Sequence, residues 1–261
     1  LVLRMARENV TWGKVRIVGE LKKLGVRISI SSVMRILREA RLQPPPDKTD
    51  RRAPVVPWST FVSAHLDSIV ASDFFTQTIW AWRGRFQAYC LFFIHLGSRN
   101  VYCSPVTLNP DEQWVMQQAR NVAMWMEDEG IEPRFLLHDH DTKYTARFDD
   151  FFRQIVKEQA APKKGQVIKS MIGVPQMNGY AESFVSGIRR EVLDHFVCVS
   201  LSQIDYLIDT YASFYNSVRP HQGIDIGNNV LDPDFSPTKH GIIKSEAKLG
   251  GLLCHYYRDA A

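Results

Sequence analysis

The 261-residue sequence predicts an α/β chain, a mixed sheet flanked by helices and preceded by a small all-α head. Three observations predict it. Strand-like and helical apolar runs follow one another in the order β-β-β-α-β after about residue 61. A proline-rich stretch, residues 43–57, breaks regular structure, because proline fixes φ and removes a donor. Charge is also unevenly divided. Residues 1–60 hold 13 Lys/Arg against 5 Asp/Glu, a balance of +8, which leaves −4 for the rest of a chain of net charge +4. A basic head on a mildly acidic body suits a polyanion-binding module joined to a second domain.

The head is read as two helices. Between residues 11 and 24 the apolar stripe Val15, Val18, Leu21 and Leu24 recurs at helical spacing, and Gly25 follows as a C′ stop. Ser29 is placed to cap a second helix from Ile30 to Arg41, with Val33, Ile36 and Leu37 on one side. Ser31, Ser32, Met34, Arg35 and Arg38 occupy the other side. Two short helices around a glycine turn, the second basic, fit a helix-turn-helix or an ordinary helical hairpin equally well. The expected organisation is a head over residues 1–42, a basic linker over 43–60, a core over 61–226 and a C-terminal extension over 227–261.

Within the core, strands are expected at Ser68–Thr76, Ala88–His95 and Val101–Val106, the last with a proline that suits an edge. A helix opens at Asn109-Pro110-Asp111-Glu112 and runs to about Glu129. A buried strand, Arg134–His138, then leads into Asp139. Trp58, Trp80 and Trp82 read as core or loop anchors, although Arg83 and Arg85 beside two of them leave base stacking open. His65, His95 and His255 have no partner at ligand spacing and read as structural. Leu249–Arg258 is either a terminal strand or a nucleic-acid arm.

Three acids sit at element boundaries. Asp73 lies in the otherwise apolar first strand, Asp139 ends the buried strand, and Glu182 begins the strong helix Ala181–Leu193. Charge in a buried strand is costly unless it is paired or metal-bound. Three convergent carboxylates suit hard cations with oxygen ligands. Ser186 and Arg189 share the Glu182 face at i+4 and i+7, opposite Phe184, Val185, Ile188 and Val192. Arg189 and Arg190 are therefore placed to hold a phosphate.

These segments resemble bacterial insertion-sequence transposases with a retroviral-integrase-type (DDE) core. The resemblance is carried by Ala71-Ser-Asp73-Phe-Phe-Thr, by Leu137-His-Asp139-His-Asp-Thr-Lys-Tyr144 with Phe148-Asp-Asp-Phe-Phe, by Asn178-Gly-Tyr-Ala-Glu182-Ser-Phe, and by Tyr215-Asn-Ser-Val-Arg219-Pro-His-Gln-Gly223. It implies an RNase-H-like fold with Asp73, Asp139 and Glu182 as catalytic and metal-holding residues. It further implies two Mg²⁺ ions (Mn²⁺ substituting), one between Asp73 and Asp139 and one between Asp73 and Glu182. The front end, Trp12-Gly13…Gly25…Ser32-Val-Met-Arg-Ile-Leu, is similar to the helix-turn-helix region of the same elements, which implies that the head over residues 1–42 is a DNA-binding helix-turn-helix. The expected partners are double-stranded DNA and further copies of the chain, with DNA contacts from the head at Ser31, Ser32, Arg35 and Arg38. Register counted back from Tyr144 favours Asp139 over Asp141, and Phe-Phe-Thr favours Asp73 over Asp67. Forty-two residues separate Asp139 from Glu182, more than the family's usual interval. The excess falls in the basic loop Gln159–Gln166, whose Lys163 and Lys164 are candidate DNA contacts. A catalytically silent DNA-binding relative and an RNase-H-type nuclease are the rival readings. Arg219-Pro-His221 either supports the site or braces the fold.

No apolar run approaches the roughly 20 residues that span a bilayer, so no membrane partner is expected. The four cysteines lack a CxxC pair, which argues against structural zinc and disulfides and for a reducing cytoplasm. The start at Leu1, without an initiator Met or signal peptide, suggests missing upstream sequence.

Overall fold

The computed structural model describes residues 1–9, 12–42, 65–158, 166–169, 179–221, 230–232, 235 and 238–259. The expected linker and the Lys163–Lys164 loop lie outside these residues. The chain divides into two compact units, one of Leu1–Pro54, Arg190–Val192 and Ser213–Ala261, the other of Val55–Arg189 and Leu193–Ala212.

In the first unit the head has three helices: α1 (Val2–Glu8), α2 (Lys14–Lys23) and α3 (Ile30–Glu39). Gly25 adopts φ +73° after α2, and Ser29 caps α3 by accepting a hydrogen bond from the Ser32 amide at 3.0 Å. Both follow the sequence expectation. The buried stripe of α2 differs, running through Ile17, Leu21 and Leu24. Val15 lies in the first turn, where it is only half-buried. Val33 and Leu37 of α3 are buried in the same core. That core also takes in Cys254 and Tyr256 from the C-terminal strands β6 (Ile243–Lys248) and β7 (Leu253–Arg258), which pair antiparallel. The tail is therefore a strand. The Tyr256 ring meets Trp12 edge-on at 6.0 Å, its hydroxyl donates to the Glu8 carboxylate, and it accepts from Asn9 Nδ2.

The second unit is built on five strands: β1 (Ile69–Ala81), β2 (Gly84–His95), β3 (Val101–Cys103), β4 (Phe135–His138) and β5 (Gln166–Lys169). Their spatial order is β3-β2-β1-β4-β5. The first three pair antiparallel, while β4 lies parallel to β1 and β5 parallel to β4. This is an RNase-H-like mixed sheet, as the resemblance implied.

Helices α4 (Glu112–Asp128), α5 (Ala146–Glu158), α6 (Gly179–Glu191) and α7 (Leu201–Ser217) accompany it. Alternation along the strands feeds two cores, because successive side chains point to opposite faces. Leu91 and Phe93 of β2 pack with Val115, Ala119 and Val122 of α4 and with Phe148 and Phe152 of α5. Phe92, between them in sequence, instead meets Phe75 at 5.8 Å and Phe184 of α6 at 5.1 Å. Phe184 in turn meets Tyr211 of α7 at 5.9 Å. Gly187 permits that approach, since a Cβ there would lie 2.8 Å from the Tyr211 hydroxyl oxygen.

Three boundaries depart from expectation. Strand β3 stops at Cys103, ahead of Pro105, which has no amide to donate. Helix α4 is capped by Asp111, whose carboxylate accepts from the Trp114 amide at 2.8 Å. Strands β1 and β2 extend to Ala81 and back from Gly84, joined by the turn Trp82-Arg83 with Gly84 at φ +125°. Trp80 and Trp82 are consequently not core anchors, being 52% and 104% exposed.

Candidate active site

The parallel pairing of β1 and β4 sets the position of two acids. Ala71 is in register with Leu137, and Asp73 and Asp139 each follow two residues later. The paired register ends at Ala71 and Leu137, with Asp73 continuing within β1 and Asp139 opening the turn after β4. Neighbouring strands lie about 4.8 Å apart. Asp67 falls in the turn before β1, beside Gly97, where its carboxylate oxygen would be 2.3 Å from an added Cβ. It thus precedes β1, whereas Asp73 lies within the strand.

Asp73 is half-buried. Burial pushes its carboxyl up to about 6, the Phe74 amide opposes this by donating to it at 2.7 Å, and the like charges of Asp139, Asp141 and Glu182 raise it further. One acid therefore stands in the electrostatic field of three others. Glu182 lies exposed in the first turn of α6, where a helix N-terminus favours a negative charge. The structure thus brings Asp73, Asp139 and Glu182 into one neighbourhood, with Asp141 beside them.

The turn after β4 is held from several sides. The Asp139 carboxylate accepts from the Asp141 amide at 3.0 Å. Asp141 accepts from both the amide and Nζ of Lys143, which hold its carboxyl below the usual range against the opposing effect of burial. Lys143 Nζ also lies 5.2 Å from the Phe74 ring and 5.1 Å from that of Tyr89. His138 is fully buried, with Nδ1 2.7 Å from the Asp139 carbonyl oxygen and Nε2 3.0 Å from Asp149 Oδ1. Tyr144, buried against His138 and Phe74, shares a 2.9 Å hydrogen bond with Ser72. Its phenol is raised well above the ordinary range, first by burial and then by the nearby acids.

Lys143, His138, Asp149, Tyr144 and Ser72 were not singled out as site residues in the sequence. His138 and Asp149 belong to different elements, and nothing local in either segment signals their pairing.

The basic candidates divide by what they touch. Arg189 donates from Nη2 to the Thr76 carbonyl at 2.7 Å and so joins α6 to β1. Arg190 is exposed beside Glu191. On α3, Ser31, Arg35 and Arg38 are exposed, whereas the Ser32 hydroxyl lies 2.9 Å from that of Ser29 within the cap. Arg219 binds Glu191 through two nitrogens, at 2.7 and 3.2 Å, and His221 Nε2 lies 2.9 Å from the Tyr215 carbonyl oxygen. Burial first, and then Arg219, lower His221 to about 3, so its imidazole is neutral at pH 7. Arg219 and His221 thus make internal contacts, Arg219 with the helix that carries Glu182.

The donor set around Asp73 is all carboxylate, chemistry suited to Mg²⁺ or Mn²⁺. This half-buried acid lies among like charges, an arrangement that a divalent cation would relieve. Among the described residues, no three His, Cys, Asp or Glu side chains are gathered closely enough as placed to hold one ion. The Asp73 and Asp139 carboxylates are instead turned onto backbone amides.

Comparison with known proteins adds one family match: residues 166–226 match the integrase core domain. No curated protein sequence matches the chain significantly. Among solved structures, the HTLV-2 integrase catalytic core domain with magnesium is similar at TM-score 0.42 and 9% identity, over 65% of this chain and 97% of that one. A chain of the simian T-cell lymphotropic virus intasome with PP2A regulatory subunit B56 gamma is similar at TM-score 0.46 and 11% identity, over 89% and 80%. The Mos1 strand transfer complex gives 0.41 and 13%, over 81% and 69%. Residues 166–226, which hold α6, α7 and Glu182, are thus similar to an integrase core domain.

Proposed function

We propose that the chain is a DNA transposase or integrase that cleaves element ends and transfers the freed 3′ strand to target DNA, with Asp73, Asp139 and Glu182 as its catalytic acids. The observation that carries this reading is Asp73, two residues past the last β1–β4 pair as Asp139 is, and in the field of both Asp139 and Glu182. Bound by these three carboxylates, two Mg²⁺ ions would supply activation of the attacking oxygen and stabilisation of the departing 3′ oxygen.

The chain's own residues do the rest. The three acids provide oxygen donors from within β1, from the turn after β4 and from the first turn of α6. His138, tied to Asp149, steadies the Asp139 backbone, as outer-shell partners do for metal-ligating carboxylates. Arg189 keeps α6 fastened to β1, and Arg190 remains exposed to meet phosphate. On α3, the exposed Ser31, Arg35 and Arg38 are placed for a DNA groove, so the head serves as the element-end reader. Paired cleavage of two ends calls for more than one copy of the chain in the active complex.

The test is a cleavage and strand-transfer assay on labelled DNA ends with Mg²⁺ or Mn²⁺. Asp73→Asn, Asp139→Asn and Glu182→Gln should each abolish cleavage and joining while DNA binding by the head persists. Joining by the triple amide variant at the wild-type rate would end the assignment. A DNA-binding protein without catalysis would bind ends and join none. An RNase-H-type nuclease would instead cut an RNA–DNA hybrid.

A further inference from the structure

The tip of the β1–β2 hairpin carries a second feature of the core. Beyond Thr76 and Tyr89 the two strands continue as a ribbon whose pairing runs to Ala81 and Gly84. Its root is fixed by a 2.8 Å hydrogen bond from the Trp80 amide to the Cys198 carbonyl oxygen. Three aromatic side chains at and around it are exposed: Trp82 by 104%, Trp80 by 52% and Phe86 by 42%. Trp80 lies directly opposite Arg85, whose guanidinium is 5.5 Å from the indole centroid. Arg83 occupies the turn beside Trp82. No acidic residue occurs between Asp73 and Asp111, so the part of the hairpin beyond Asp73 is cationic through Arg83 and Arg85.

Solvated tryptophans are retained against the hydrophobic effect, and this group is concentrated at one projecting point. Among the described residues neither Arg83 nor Arg85 makes a salt bridge, and such arginines favour a polyanion over an apolar protein face. An indole recognises the π-face of a base, a surface that stacking covers in an intact duplex and exposes in unpaired strands.

We propose that this tip binds unpaired DNA, with Trp82 and then Trp80 stacking on splayed bases while Arg83 and Arg85 hold the adjoining phosphates. The inference deepens the DNA reading of the core and rests on it. It assigns to the hairpin the frayed or single-stranded DNA that accompanies strand cleavage.

The full chain is tested in EDTA by fluorescence anisotropy, using a labelled single strand, a duplex with an unpaired 3′ end, and a blunt duplex. Trp82→Ala should weaken binding of the first two by about tenfold, the loss of roughly one stacked base, and leave the blunt duplex within about twofold. Trp82→Phe, which keeps an aromatic face, should restore most of the loss. Arg83→Gln with Arg85→Gln should weaken all three probes and lower the salt slope by about 1–2.

Wild-type affinity of Trp82→Ala for unpaired DNA, or an equal loss on all three probes, overturns the proposal. So does a fall in oligomeric mass on sedimentation with DNA affinity unchanged, which would make the tip a contact between copies. Because these measurements need no metal, they separate from the assignment above. Tip-dependent binding without any strand transfer would sink the catalytic reading alone, and strand transfer with a silent tip would sink this one alone.

Discussion

Replacing Asp73 by Asn should make the metal-free protein more stable, although it removes a catalytic acid. Burial, assisted by the charges of Asp139, Asp141 and Glu182, raises the Asp73 carboxyl from 3.8 to about 6. Each unit of pKa corresponds to about 1.4 kcal/mol, so a fully dry site would be worth about 3 kcal/mol. Asp73 is only half-buried, and water screening brings the expected figure to about 1–2 kcal/mol. A carboxyl raised by folding is stabilising to lose: below pH 3.8 it is protonated in both states and contributes nothing. As pH rises from there through 6, ionisation favours the unfolded chain, and the full penalty is present above pH 6. Urea unfolding in EDTA, followed by far-UV circular dichroism, should therefore show Asp73→Asn more stable than wild type by about 1–2 kcal/mol at pH 7.5. The two proteins should coincide near pH 3.5. Millimolar Mg²⁺ should stabilise the wild type and leave Asp73→Asn almost unchanged, because ligands that bind only the folded state stabilise by mass action. A variant that is no more stable than wild type at pH 7.5 in EDTA would refute the electrostatic account of the acidic cluster.

The remaining expectations concern the groups that hold the site and the chain together. Glu191 is driven up by burial but brought down to about 2 by Arg219, with help from Arg16 and Arg190. Its stabilising contribution is thus complete above pH 4.5 and lost as pH falls toward 2. Arg219→Ala, which strands this buried carboxylate, should cost about 3–5 kcal/mol at pH 7 and distinctly less at pH 4, as read by thermal melting at both values. Asp149→Ala should lower the melting temperature by leaving buried His138 Nε2 without its carboxylate, at about 1–3 kcal/mol. The same variant should slow strand transfer about 10–100-fold by loosening the Asp139 turn. Tyr144→Phe, which removes the buried hydrogen bond to Ser72, should cost about 1 kcal/mol in a urea titration and less than tenfold in rate.

Local chemistry made part of this protein legible before any coordinates. Ser29 and Gly25 declare the ends of helices through capping and left-handed backbone, effects that depend on a few adjacent residues. Strand β4 and the start of α6 are marked by apolar periodicity, so Asp139 and Glu182 stood out as acids at element boundaries. The partners that hold them did not. His138–Asp149, Ser72–Tyr144 and Arg219–Glu191 join residues from separate elements, and a sequence pattern with a period of two or 3.6 says nothing about such pairings. The tryptophans show a different reason for failure. Apolarity predicts burial only if another element covers the residue, and β1 and β2 outrun their neighbours: β4 pairs with β1 only from Ile69 to Ala71, and β3 with β2 only from Phe92 to Ile94. Cys198 still bridges β1 at Ile79, which is buried, but beyond it no described residue buries Trp80 or Trp82, whatever their hydrophobicity. Their exposure follows from strand length, a property of the sheet as a whole, which places the aromatic tip and the acidic cluster on the same strand, Asp73 near the middle of β1 and Trp80 near its end.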